Sequence, residues 1–121
     1  MLLKLNERPA YCRALDAECP LDRWISYAVK VLRDGGIETY ESCEGGKGHS
    51  YREPAVRFHG MQGDGFKALA LAFRFGLPVR ALRRFWSIDR GEPTGPCWEL
   101  TFWERPLKRL QREAERTGLI T

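Results

Sequence analysis

Ile37-Glu38-Thr39-Tyr40-Glu41-Ser42-Cys43, the run Glu44-Gly45-Gly46-Lys47-Gly48-His49-Ser50, and Ala55-Val56-Arg57-Phe58-His59 decide the fold class. The two outer pieces are rich in β-formers and bounded by glycine or proline, so together they predict two strands joined by a wide loop. Alternation puts Glu41 and Cys43 on the same side as Ile37, which leaves open the face toward which Cys43 points. Upstream, the segment from Cys19 to Gly36 reads as a helix. Pro20 suits its first position, Asp22 favours its amino end, and Leu21, Trp24, Ile25, Ala28 and Leu32 recur with helical spacing up to the stop at Gly35-Gly36.

Downstream, a second helix is expected from Asp64 to Gly76. Its apolar stripe of Phe66, Leu69, Ala70 and Phe73, widened by Leu71 and Phe75, predicts deep burial. Leu77-Pro78 then forces an extended exit. Val79 to Ile88 reads as a long strand, 89–96 as a turn, and Cys97 to Trp103 as a half-buried strand in which Trp98, Leu100 and Phe102 alternate with Glu99 and Thr101. Pro106 opens a last helix that Gly118 ends. Residues 1–18 carry no assignment. The order α-β-β-α-β-β-α predicts one α+β domain: a four-stranded, mainly antiparallel sheet with helices on one face. The other face is left to solvent, a ligand or a second subunit, and with four tryptophans this predicts a homodimer or higher homo-oligomer.

The chain has 121 residues, a length that suits a single domain. It has no apolar run near the roughly 18 residues of a membrane span. Four cysteines, Cys12, Cys19, Cys43 and Cys97, form no CxxC pair, and with no export signal they read as reduced thiols in a cytoplasmic protein. Cys12, Cys19 and Cys97 read as small hydrophobes.

The glycine-rich loop carries the chemistry. Positive-φ glycines let successive amides turn inward on an anion, with Ser42, Cys43, Gly45, Gly46, Lys47, Gly48 and His49 lining the guest. Arg57 and His59 share the polar side of their strand and point the same way. The expected partner is an anionic small molecule bearing a phosphate, a nucleotide by preference. The alternative is a plain hairpin loop with a solvated strand face. Neither a Walker A loop nor a dinucleotide fingerprint is present, because Lys47 precedes Gly48-His49 and the loop leads to a strand. Cys43, His49, His59 and Cys97 offer zinc-type ligands, but their spacing matches no zinc signature, so no metal and no cofactor is assigned. Cys43 with His49 or His59 as base is the weak catalytic candidate, and the reading leans away from an enzyme.

The net charge is +4. Residues 1–60 are balanced, and the excess sits at Arg74, Arg80, Arg83, Arg84 and Arg90, opposed only by Asp89 within 74–90. Arg80, Arg83 and Arg84 beside Phe85 and Trp86 therefore serve two expectations. They complete the anion site, or they form an RNA- or DNA-binding strand.

The segment G-I-x-T-x-x-S-C-x-G-G-x-G-H, Gly36 to His49, followed by P-x-V-x-F, Pro54 to Phe58, resembles small uncharacterised domains encoded by phages and prophages. The likeness spans roughly residues 20 to 60. It implies a host-cytoplasm setting and sequestration of a nucleotide signal used in host defence. Thr39 to Gly45 is also similar to the T-x-S-S-C-S-G segment of the tRNA wybutosine-synthesis methyltransferase family, with Glu41 in place of the first serine. That second likeness implies a methyltransferase-like activity as an alternative.

Overall fold

The computed structural model describes residues 21–120. The expected helical start at Pro20, the thiols of Cys12 and Cys19, and the unassigned residues 1–18 lie outside them. A 3-10 turn, Arg23–Ile25, runs into α1 (Ser26–Asp34). β1 (Thr39–Cys43), β2 (Ala55–His59), α2 (Gln62–Arg74), β3 (Val79–Asp89), β4 (Glu92–Phe102) and α3 (Glu104–Arg116) follow. The strands form one sheet in the order β1-β2-β4-β3, with every neighbouring pair antiparallel. This is the expected α+β domain. Val56, Phe58, Leu100 and Phe102 project from one side of the sheet into a core shared with Ile25, Leu32, Ala68 and Leu107. Burying each large apolar side chain there contributes about 1.5–3 kcal/mol.

Local chemistry sets the helix ends. Gly36 adopts φ +93°, its N–H bonds the Arg33 carbonyl at 3.0 Å, and the Ile37 N–H reaches the Leu32 carbonyl at 2.9 Å. This double bond pattern needs a left-handed residue, which glycine supplies without steric cost. α2 and α3 stop by the same pair of bonds at Gly76 and Gly118. α2 begins two residues before the expected cap. Asp64 is its third residue and accepts the Met61 N–H at 2.8 Å, which is half of a capping box.

α2 is less buried than its apolar stripe implies. Phe66 and Phe73 are 56% and 64% exposed, whereas Gly65, Ala68 and Ala72 face the core. The cause is Trp98: a Cβ at position 65 would lie 2.7 Å from its indole, so only the small-residue stripe lets the helix approach the sheet. The expected turn over 89–96 is also much shorter. Arg90 (φ 52°) and Gly91 (φ 81°) make a two-residue turn, and β4 starts at Glu92. Two positive φ values in succession match the twist of flanking antiparallel strands. Pro93 and Pro96 are tolerated in a strand because β2 pairs only with 97–101, which leaves this length of β4 one neighbour.

At the start of α1, where a side-chain cap is absent, the Tyr27 N–H donates to Gln111 Oε1 of α3 at 3.0 Å. Gln111 Nε2 donates in turn to Ser26 Oγ at 3.0 Å and Glu115 Oε2 at 3.1 Å, in a nearly sealed position. Gln111→Leu leaves a buried backbone donor unpaired, so it should destabilise the fold by about 1–3 kcal/mol in chemical denaturation. A cost below a few tenths would assign the glutamine no such role. No helix among the described residues is long and apolar enough to cross a membrane.

Candidate metal centre

β1 decides the face of Cys43 through a bulge. Thr39 pairs with Phe58 and Glu41 with Arg57, so Tyr40 is an extra residue and the parity shifts. Glu41 and Cys43 thereby lie on the face away from the helices, with Arg57 and Ala55 opposite them. Ser42, opposite Val56, is buried on the core side.

After Cys43 the chain folds over its own thiol. The Gly45 N–H donates to Cys43 Sγ at 3.4 Å, and His49 Nδ1 lies 3.7 Å from the same sulfur. The other imidazole nitrogen, Nε2, is 3.4 Å from Glu44 Oε2, and Nδ1 is 3.9 Å from Asp22 Oδ2. Asp22 and Glu44 brace each other: the Glu44 N–H donates to Asp22 Oδ2 and the Trp24 N–H to Glu44 Oε1, both at 3.2 Å. Burial pushes the Cys43 thiol up, while the N–H groups of Gly45, Tyr51 and Ser50 pull it down by less.

Ligand atoms of Asp22, Cys43 and His49 all lie within 4.8 Å of one another. Around a tetrahedral zinc with bonds of about 2.0–2.3 Å, ligand atoms sit about 3.3–3.8 Å apart, so the spacing needs only small closure. Carboxylate, thiolate and imidazole are the usual zinc donors. A Glu44 carboxylate on the second imidazole nitrogen is the arrangement that fixes the tautomer of a metal-bound histidine.

Four amides of the loop have partners within the protein. The N–H groups of Glu44, Gly45, Gly46 and His49 donate to Asp22, Cys43 Sγ, the Arg52 carbonyl and the Gly46 carbonyl respectively. Asp22 and Glu44 make the surroundings acidic, and Lys47 and Gly48 are exposed at the loop tip. Such a setting attracts a cation.

The expected site residues separate into three groups. Cys43, Gly45 and His49 belong to the centre just described. Arg57 forms a second group on the same sheet face, bonded to Glu99 at 2.8 Å and near Glu41 at 3.5 Å, with its guanidinium over the rings of Tyr51 and Phe85. Arg83 joins it through Glu99 at 3.1 Å. Arg80 and Arg84 form the third group, over the rings of Trp103 and Trp98.

His59 is exposed, and it stacks on Tyr40 with centroids 4.3 Å apart. It lies opposite Cys97, whereas Cys43 lies opposite Ala55, four residues or about 13 Å along β2. His59 and Cys97 therefore do not meet Cys43. Burial, with the neighbouring Cys97, raises the Tyr40 hydroxyl well above its ordinary range.

Asp22 is the member of this candidate group that sequence reasoning missed. It sits where an acidic residue at a helix start explains itself, and its place beside His49 needs the loop to close. The chain matches no protein-family model, no curated protein and no solved structure.

Proposed function

We propose that this protein is a metal-dependent ligand-binding domain. Asp22, Cys43 and His49 hold one divalent transition-metal ion, Glu44 orients the imidazole, and the fourth coordination position takes an oxygen of an anionic small molecule. The observation that carries this reading is the convergence of a carboxylate, a thiol and an imidazole within 4.8 Å, with a second carboxylate on the far imidazole nitrogen. Zinc is the ion these donors suit, and three protein ligands with one open position is the pattern of zinc sites that bind exchangeable ligands.

The expected anionic guest thus reaches the loop through a metal rather than through backbone amides. A phosphate ester or a carboxylate fits that role, and Arg57 stands on the same face two strand positions from the Cys43 level. The same titration with nucleoside monophosphates reads nucleotide preference.

Cobalt(II) titration tests the reading directly. The expected result is one equivalent bound, with the visible spectrum of a tetrahedral ion and a thiolate charge-transfer band. Cys43→Ala and His49→Ala should each abolish it, and Glu44→Gln should weaken affinity about 10- to 100-fold. Inorganic phosphate and acetate should perturb the visible bands. Zinc at a hundredfold excess over its dissociation constant should add about 2.7 kcal/mol of stability. Absence of binding, or a full thiolate band in Cys43→Ala, would overturn the metal; unchanged bands with every anion would overturn the ligand.

A further inference from the structure

β3 is an edge strand, with β4 on one side and no strand on the other among the described residues. The register puts Arg84 opposite Trp98, and Trp86 follows in the irregular stretch between Phe85, opposite Cys97, and Ser87, opposite Thr94. Arg80 is the extra residue between Val79, opposite Phe102, and Ala81, opposite Thr101. Its guanidinium lies 5.4 Å from the Trp103 ring centroid, and that of Arg84 lies 5.0 Å from the Trp98 ring. Arg83 is tied to Glu99; among the described residues Arg80 and Arg84 have no carboxylate partner. Trp86 is 59% exposed and Trp103 53%. The net charge of the chain is concentrated in this stretch, where Asp89 is the lone acid between Arg74 and Arg90.

We propose that this edge binds single-stranded nucleic acid, with phosphates on Arg80 and Arg84 and bases stacked on Trp86 and Trp103. Guanidinium groups without carboxylates are open to phosphate, and arginine stacked on an indole presents a fixed planar cation. Exposed indoles beside such cations are the elements of sequence-tolerant single-strand recognition. An acidic peptide added to the β3 edge would use the arginines but would leave Trp86 and Trp103 without a role. The site is separate from the metal centre, so Cys43→Ala should bind the strand as the parent does.

Fluorescence anisotropy with a labelled oligothymidylate tests this. Saturable binding should weaken with salt at a log–log slope of about −1.4, the value for two neutralised phosphates on a single strand. Arg80→Ala with Arg84→Ala should lose at least tenfold, and Trp86→Ala about 5- to 150-fold. Arg80→Lys with Arg84→Lys keeps the charge and should lose less than the alanine pair. Circular dichroism confirms that each variant is folded. The inference is overturned by no saturable binding, by an alanine pair that binds as the parent, or by polyglutamate displacing the strand while Trp86→Ala has no effect. The last result would assign the edge to an acidic peptide.

Discussion

Arg57→Met is expected to destabilise the protein by about 3–5 kcal/mol at neutral pH, read as a lower midpoint in urea with an unchanged slope. Arg57 stands between Glu99 at 2.8 Å and Glu41 at 3.5 Å, and both carboxylates are about 95% buried. A buried ion pair need not stabilise a fold by itself, because removing two charges from water costs several kcal/mol per ion. Removing one member is different, since the remaining charge keeps its desolvation cost and loses its partner. Here the loss falls first on Glu99, the nearer carboxylate, because Glu41 keeps an interaction of its own. Arg83 offsets part of it at Glu99, where its nitrogen is 3.1 Å away, but that side chain is 57% exposed and its attraction is screened.

The same physics predicts a rescue. Adding Glu41→Gln and Glu99→Gln to Arg57→Met removes the two charges that faced the guanidinium and should recover a large part of the loss. The coupling between the sites should then exceed 1 kcal/mol in a thermodynamic cycle. Additive costs across the three substitutions would show that Arg57 contributes through packing on Tyr51 and Phe85 instead. Tyr51 is part of this arrangement: burial, then the nearby Glu41, raises its phenol far above the ordinary value.

Gly45→Ala is expected to cost about 2–4 kcal/mol and to remove the proposed cobalt(II) binding. Gly45 has φ +80°, and a Cβ there would lie 2.5 Å from the backbone of Glu53 and Pro54. Backbone atoms joining a strand cannot swing aside as a side-chain tip can, so the loop itself must move. Its movement carries the Gly45 N–H away from Cys43 Sγ and His49 away from the thiol. Gly46→Ala is the matched control. Its φ is +104°, but the nearest atom to its Cβ is Glu104 Oε2 at 3.7 Å, so only the left-handed strain of about 1–2 kcal/mol applies. Equal losses in the two variants would show that the contact with 53–54 does not hold the loop.

The parts of the fold that were legible in the sequence rest on local chemistry. The helix stop at Gly36, the α2 stop at Gly76 and the alternation of Trp98, Leu100 and Phe102 all come from dihedral freedom or side-chain period within a few residues. The depth of α2 was not legible. Its two apolar stripes, one aromatic and one small, are equivalent on a helical wheel, and the bulk of Trp98 on a distant strand selects the small one. The hairpin at Arg90-Gly91 was obscured by Pro93, Gly95 and Pro96, residues that are turn signals unless a strand lacks a second neighbour.

For the candidate site, the loop and two of its chemical groups, Cys43 and His49, stood out from the local run of glycines and the residue types beside them. Four of its amides, those of Glu44, Gly45, Gly46 and His49, instead donate to groups of the protein, a pairing that needs Asp22 and Arg52 brought to the loop.

The first strand marks the boundary between the two kinds of information. Ile37 to Cys43, the glycine loop and Ala55 to His59 determined by themselves that two strands would flank a turn, since β-branched and aromatic residues and glycines set those backbone preferences locally. They did not determine where Cys43 points. One extra residue at Tyr40 reverses the parity of everything after it, and that bulge exists only in the pairing of β1 with β2. Nor did they determine that Asp22, from before α1, would stand beside His49, or that Arg57 would be held between carboxylates from two other strands. Those placements depend on register and loop closure between distant segments, and only the tertiary structure combines them.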